Sequence, residues 1–173
     1  KTAYIYANNN TGLGQAINQY TGSSQTWDLS KSLGSASEKV VKGDAQSLYP
    51  AFYAAGHYTS AVAGKKWFLP SVGEWKLALT SLSNQNESVV TNAMGKTYNW
   101  TYSIVRAAFT QAGGTPLDTW YWTSDEQRNP GIANAWTVTA GSGGFNFGSA
   151  SKGKKTSNNS FTGTQVRAFI TYK

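Results

Sequence analysis

From Trp120 to Phe169 apolar and polar positions alternate in short runs: YWTSDE, then ANAWTVTAGSGGFNFGSASKGKK, then QVRAF. A period of two, broken by glycine and asparagine, predicts an antiparallel ribbon with one buried and one solvated face. Trp120, Tyr121 and Trp122 open one strand, residues 125–134 read as a polar loop, and Ala135–Thr139 reads as a second strand. Gly141–Gly144 then reads as a turn into Phe145 and Phe147. The last strand sets Val166, Ala168 and Ile170 against Arg167, Phe169 and Thr171. The solvated face is the candidate working surface.

Upstream the period changes. Thr2–Tyr6 is a β-rich run stopped by Asn8, Asn9 and Asn10, and a short helix is expected over Leu13–Gln19. Thr21–Gly43 reads as loop, with Trp27 and Leu29 as anchors, and Ala45–Ala55 as a weak helix with Pro50 near its first turn. Trp67, Phe68 and Leu69 form a short strand that Pro70 breaks. Ser71 and Glu74 then make the S-x-x-E box that starts a helix, with Val72, Trp75, Leu79 and Leu82 on one face. Glu74 is thereby explained by capping before any catalysis is invoked. A second helix is predicted over Trp100–Ala112, with Ile104, Val105, Ala108 and Phe109 as its apolar stripe, Arg106 in solvent and Gly113 as its stop. Two helices followed by antiparallel strands describe one α+β domain over residues 1–173, read as a domain excised from a longer protein.

Composition sharpens the surface. Only 13% of the 173 residues are charged, about half the usual share. The exterior must therefore be built from Ser, Thr, Asn, Gln, Gly and Tyr, the residues of adaptable binding surfaces. A net charge of +7 raises polyanions as partners, yet only Lys152, Lys154 and Lys155 form a tight basic run, so nucleic acid is not expected. With no cysteine there is no thiolate nucleophile and no Cys-based zinc site. The single histidine, His57, cannot build a metal cluster, and no G-x-S-x-G elbow offers it a serine partner. Asp125 and Glu126 are sequence neighbours, which in a strand would point to opposite faces, so a glycosidase pair is not expected. No apolar run is long enough for membrane insertion.

The succession WFLPSVGEW, AGGTPL, YWTSDE, NAW, GGFNFG, a lysine-containing turn and VRAF resembles the Fibrobacter succinogenes major paralogous domain. That domain is a compact relative of the formylglycine-generating-enzyme form of the C-type lectin fold. The match covers Trp67 to Phe169. The resemblance implies two main helices, twisted antiparallel sheets, and a first strand near Tyr4 paired with a last strand near Ile170. It also implies a secreted, bacterial cell-surface or phage-tail location. Some members resemble variable proteins of diversity-generating retroelements, a pattern that Asn129, Asn134, Asn146, Asn158 and Asn159 would suit. The family's copper and histidine chemistries need residues this chain lacks, so no enzyme activity and no cofactor are expected. The E-P-N, Q-P-D and W-N-D motifs of calcium-dependent lectins are absent, leaving the oxygen-rich stretch Asp125, Glu126 and Asn129 as the place for a structural calcium.

The expected function is non-catalytic recognition of a cell-surface protein or glycan. The expected contact residues are Tyr121, Asn129, Asn134, Trp136, Phe145, Asn146, Phe147 and Lys152. Trp122, Trp136, Val166 and Phe169 are expected as framework, so Trp136 stands in both sets, and Arg167 is expected to pair with Glu126 or loop carbonyls. A carbohydrate-binding or carbohydrate-active domain and a structural pilin-like assembly module are the alternatives.

Overall fold

A computed structural model describes residues 16, 18–27, 40, 46, 49–59, 62, 64–83, 89–92, 95–98, 102–129, 132–141, 144–151 and 164–171. The expected Thr2–Tyr6 strand, its pairing with the C-terminus, most of the Leu13–Gln19 helix and Lys152 lie outside these residues. Among the described residues the chain is α+β. Its helices are α1 (Gly22–Trp27), α2 (Pro50–Gly56), α3 (Val72–Ser83) and α4 (Tyr102–Gln111). Its strands are β1 (Val89–Asn92), β2 (Gly95–Tyr98), β3 (Trp120–Asn129), β4 (Ile132–Gly141), β5 (Gly144–Ser151) and β6 (Thr164–Gln165). They form one sheet in the order β1-β2-β5-β4-β3-β6. Every pairing is antiparallel except β3 with β6, which is parallel.

The α3 helix starts where its capping box predicts. The Ser71 N–H donates to Glu74 Oε2 at 2.7 Å, and the Glu74 N–H lies 3.3 Å from Ser71 Oγ. Val72, Trp75 and Leu79 are buried, and Leu82 packs beside them. On α4 the stripe is narrower than the pattern predicts. Val105 is fully buried, Phe109 is partly so, and Ile104 lies 46% exposed. Ile104 sits 100° around the helix axis from Val105, and on α4 it turns away from the cluster that Val105 enters. Arg106 is exposed, as expected, and donates to Tyr102 Oη at 3.1 Å.

The sheet separates two hydrophobic clusters. On one face Tyr121, Trp136, Val138, Ala140, Phe145 and Phe147 pack with Val72, Trp75, Leu79 and Val105 of α3 and α4. Trp122, one residue on from Tyr121 and so on the opposite face, packs against Tyr49, Phe52, Ala55 and Leu69 around α2. Val166 and Ala168 join that second cluster, while Phe169 joins the first, 4.9 Å from the Trp75 ring.

Several elements differ from the sequence reading. Residues 22–27 are a helix where loop was expected. Its GSSQTW sequence has little helical preference, and the helix is held by distant partners: Gly22 N–H by Glu74 Oε2 at 3.2 Å and Gln25 Nε2 by Asp125 Oδ1 at 3.1 Å. The expected polar loop over residues 125–134 is instead strand from both sides, with Asn129 paired to Ile132 and Gln127 to Asn134. Trp67–Leu69 is no full strand, since Phe68 makes only an isolated bridge to Phe169. Of the expected strand over residues 166–171 only that bridge at Phe169 is present, and the strand pairing lies just upstream, in β6. The hairpin of β1 and β2 has no counterpart in the sequence reading.

Gly73 illustrates how closely α3 meets the segment before α1. A Cβ there would collide with the backbone carbonyl of Gln19. Alanine favours helices over glycine, yet Gly73→Ala is expected to destabilise the fold by about 1–3 kcal/mol, because a backbone carbonyl cannot swing aside as a side-chain tip can. Urea denaturation checks this. A gain in stability would show that the Gln19 segment yields freely.

Candidate functional site

The two motifs that open α3 and β3, LPSVGE and YWTSDE, meet at one buried polar node. Between Trp122, paired with Thr137, and Glu126, paired with Ala135, the β3 ladder breaks into a bulge of Thr123, Ser124 and Asp125 opposite Trp136 alone. Such a bulge re-aims side chains out of the pleat. Thr123 Oγ1 donates to Trp136 O at 2.9 Å, and the Ser124 N–H donates to Pro70 O at 2.8 Å. The Asp125 carboxylate accepts the Val72 N–H at 2.6 Å and the Gln25 amide at 3.1 Å. Asp125 thus sits at the positive end of α3 and links α1, α3 and β3. Burial pushes its carboxyl up to about 7, against the downward pull of the Val72 and Gln25 hydrogen bonds, and neighbouring Glu74 adds a further upward push. Burial also raises Glu74, opposed by its hydrogen bonds to Ser71 and Gly22.

Both carboxylates are therefore occupied by amide donors that start helices. Their proximity is the feature a search for paired acids would notice, but each accepts backbone N–H groups, with the Gln25 amide added on Asp125 and the Ser71 hydroxyl on Glu74. Among the described residues no group of three or more His, Cys, Asp or Glu side chains could hold a metal ion. Arg167 donates to Thr115 O at 3.0 Å and lies over the Phe109 and Tyr121 rings at 5.4 and 5.9 Å. The loop-carbonyl partner expected for it is thus present.

The ribbon's inner face corrects half of the expected contact set. Tyr121 and Phe145 are each 1% exposed, and Trp136 and Phe147 are likewise buried in the cluster under α3 and α4. They cannot touch a ligand, and the reason is phase. Once Val138 and Ala140 face the helices, their neighbours across the ladder, Tyr121 with Phe147 and Phe145, must face them too. Asn146, between two buried phenylalanines, is exposed. The backbones of Asn129 and Asn134 lie in β3 and β4, and their side chains fall outside what is described.

The opposite phase defines the outer face. Thr164 pairs with Trp120, Trp120 with Thr139, and Thr139 with Asn146, which makes a single row across β6, β3, β4 and β5. Trp120 is 42% exposed, Thr164 and Thr139 are half-buried, and Asn146 is open. Two residues along β3 the outer face is closed over Trp122 by the second cluster. Among the described side chains of that face the row stays open: an indole flanked by two hydroxyls and an amide on a hydrogen-bonded sheet. Sequence reasoning missed Trp120, Thr139 and Thr164. The alternation would have found them had Tyr121 been assigned to the core.

Compared with protein-family models, curated proteins and solved structures, the chain finds no match.

Proposed function

We propose that this chain is a non-catalytic recognition domain with a C-type-lectin-like arrangement, related to the formylglycine-generating-enzyme form. It binds a cell-surface protein or glycan at an extracellular surface, through the outer face of its C-terminal ribbon. The observation that carries this reading is the exposed Trp120 in register with Thr139 and Asn146. An aromatic ring with adjacent hydroxyl and amide groups suits both a sugar ring and a protein side chain. The site is preorganised, because its positions are fixed by ladder hydrogen bonds and by the core beneath, so little ordering entropy is lost on contact. The node at Asp125 supports the same reading, since it commits Asp125 and Glu74, the two acids that the fold brings together, to holding the scaffold. Among the described residues no helix is long and apolar enough to cross a membrane.

The test is capture on a panel of immobilised glycans and purified cell-surface proteins. Trp120→Ala is expected to weaken capture by about tenfold or more, as for an interfacial tryptophan anchor. Asn146→Ala is expected to weaken it less, and both proteins should melt within a few degrees of the parent. Capture unchanged in both variants would remove the row as the site.

A further inference from the structure

Residues 18–27 are fastened across the start of α3 by hydrogen bonds more than by apolar packing. Ser71 Oγ donates to Gln19 O at 2.7 Å, and the Gly22 N–H donates to Glu74 Oε2 at 3.2 Å. Gln25 Nε2 donates to Asp125 Oδ1 at 3.1 Å. The Leu69 N–H donates to Thr26 Oγ1 at 3.1 Å, and the Trp27 indole N–H to Trp67 O at 2.8 Å. None of residues 18–27 belongs to either hydrophobic cluster. Trp27, the one large apolar side chain of α1, is half-buried. A six-residue helix of low helical preference does not hold its shape alone. An element closed by a few polar contacts opens locally while the core stays folded.

Two of those contacts end on carboxyl groups, Asp125 fully buried and Glu74 half-buried. The α1 sequence, GSSQTW, brings no titratable side chain to them. From α3 the charge that faces Asp125 is Glu74, and Lys76 lies about 200° around the helix from Glu74. From β4, Ala135, Trp136 and Thr137 opposite the bulge carry no charge, and neither does the segment 67–70. Asp28 and the Glu126 side chain lie outside the described residues. Burial raises both acids, Asp125 to about 7 from an ordinary 3.8. A proton on Asp125 Oδ1 keeps the contact with α1, because the Gln25 amide can turn its oxygen toward it. Release of α1 returns water to both groups, so the open state gives up its protons first. Closure is therefore favoured most below about pH 4, and that preference is lost as pH rises through about 7.

We propose that residues 18–27 form a pH-sensitive strap, closed over the start of α3 in acid and released toward alkaline pH, with Asp125 and Glu74 as the sensing pair. Release frees the Leu69 N–H and the Trp67 carbonyl, which Thr26 and Trp27 hold, at the edge of the second hydrophobic cluster.

The test is amide hydrogen exchange of the whole chain between pH 5 and 8, each rate taken relative to that of an unstructured amide at the same pH. The Gly22 and Gln25 N–H groups, bonded to Glu74 Oε2 and Thr21 O, report the strap. The Ala140 N–H, bonded to Thr119 O, reports the sheet. Protection at Gly22 and Gln25 should be lower than at Ala140 throughout, and should fall by about tenfold or more across the interval. Asp125→Asn, neutral at every pH, should remove most of that fall. Glu74→Gln keeps an oxygen for the capping contacts and should reduce the fall as well, which serves if Asp125→Asn does not fold. Arg106→Ala, on α4, should keep the slope of the parent. Equal protection at Gly22, Gln25 and Ala140 would mean that α1 leaves only when the whole chain unfolds, and would overturn the proposal. So would protection of α1 that does not change with pH, or a fall that neither acid variant reduces.

Discussion

Phe145→Ala is expected to lose about 3–5 kcal/mol of folding stability, the range for emptying a buried aromatic site. The ring is 1% exposed, lies 5.8 Å from Tyr102 of α4, and shares a cluster with Trp136, Ala140 and Phe147. For a domain of this size each kcal/mol moves the melting temperature by about 2–4 °C, so the variant should melt about 10 °C below the parent. Asn146→Ala, one residue along and facing solvent, should stay within about 0.5 kcal/mol. Denaturant midpoints for the pair read out the phase of β5 directly. Equal, small effects would place Phe145 at the surface and return it to the contact set.

Asp125 has the second large effect, and it depends on pH. Asp125→Ala leaves the Val72 N–H and the Gln25 amide buried without their acceptor, and should cost about 2–4 kcal/mol. Asp125→Asn keeps one oxygen for Val72. If the Gln25 amide turns over, its oxygen can accept from both the new amide and the Thr21 hydroxyl, so this variant should stay within about 1 kcal/mol of the parent near pH 7. The carboxyl titrates at about 7 in the folded chain against an ordinary 3.8. Between those values the folded state holds a proton that the unfolded state has released. Stability is thus greatest below about pH 4 as far as this group is concerned, and falls as pH rises to about 7, by as much as about 4 kcal/mol. Glu74, also raised, acts in the same direction. Urea melts between pH 4 and 8 should show this slope in the parent and a flatter one in Asp125→Asn. A parent whose stability rises over that interval would contradict the burial of Asp125.

Local signals in the sequence were enough for the pieces that local physics decides. Ser71 and Glu74 announce the start of α3, Pro50 stands at the first position of α2, and Gly141 pairs with Gly144 where β4 is expected to lead into Phe145 and Phe147. The α1 helix could not be read this way, because its cohesion comes from Glu74 and Asp125, 52 and 100 residues away. The phase of the ribbon was harder still. Tyr-Trp and Phe-Asn-Phe fit either face until the helices choose one, and Trp122 is enclosed on the opposite side by the second cluster. The contact set accordingly named Tyr121 and left out Trp120. A two-residue alternation carries its own correction, since each buried residue identifies an exposed neighbour.

The most direct test of the ribbon as a rigid scaffold with a working outer face is a saturation scan of residues 120–147 in a display format. Each variant is scored both for folded display and for retention on whichever immobilised glycan or cell-surface protein captures the parent. The account predicts a two-residue alternation. Substitutions at Tyr121, Val138, Phe145 and Phe147 should abolish display, while those at Trp120, Thr139 and Asn146 should keep display and lose retention. Retention that simply follows display at every position, with Trp120, Thr139 and Asn146 tolerating all residues, would contradict it.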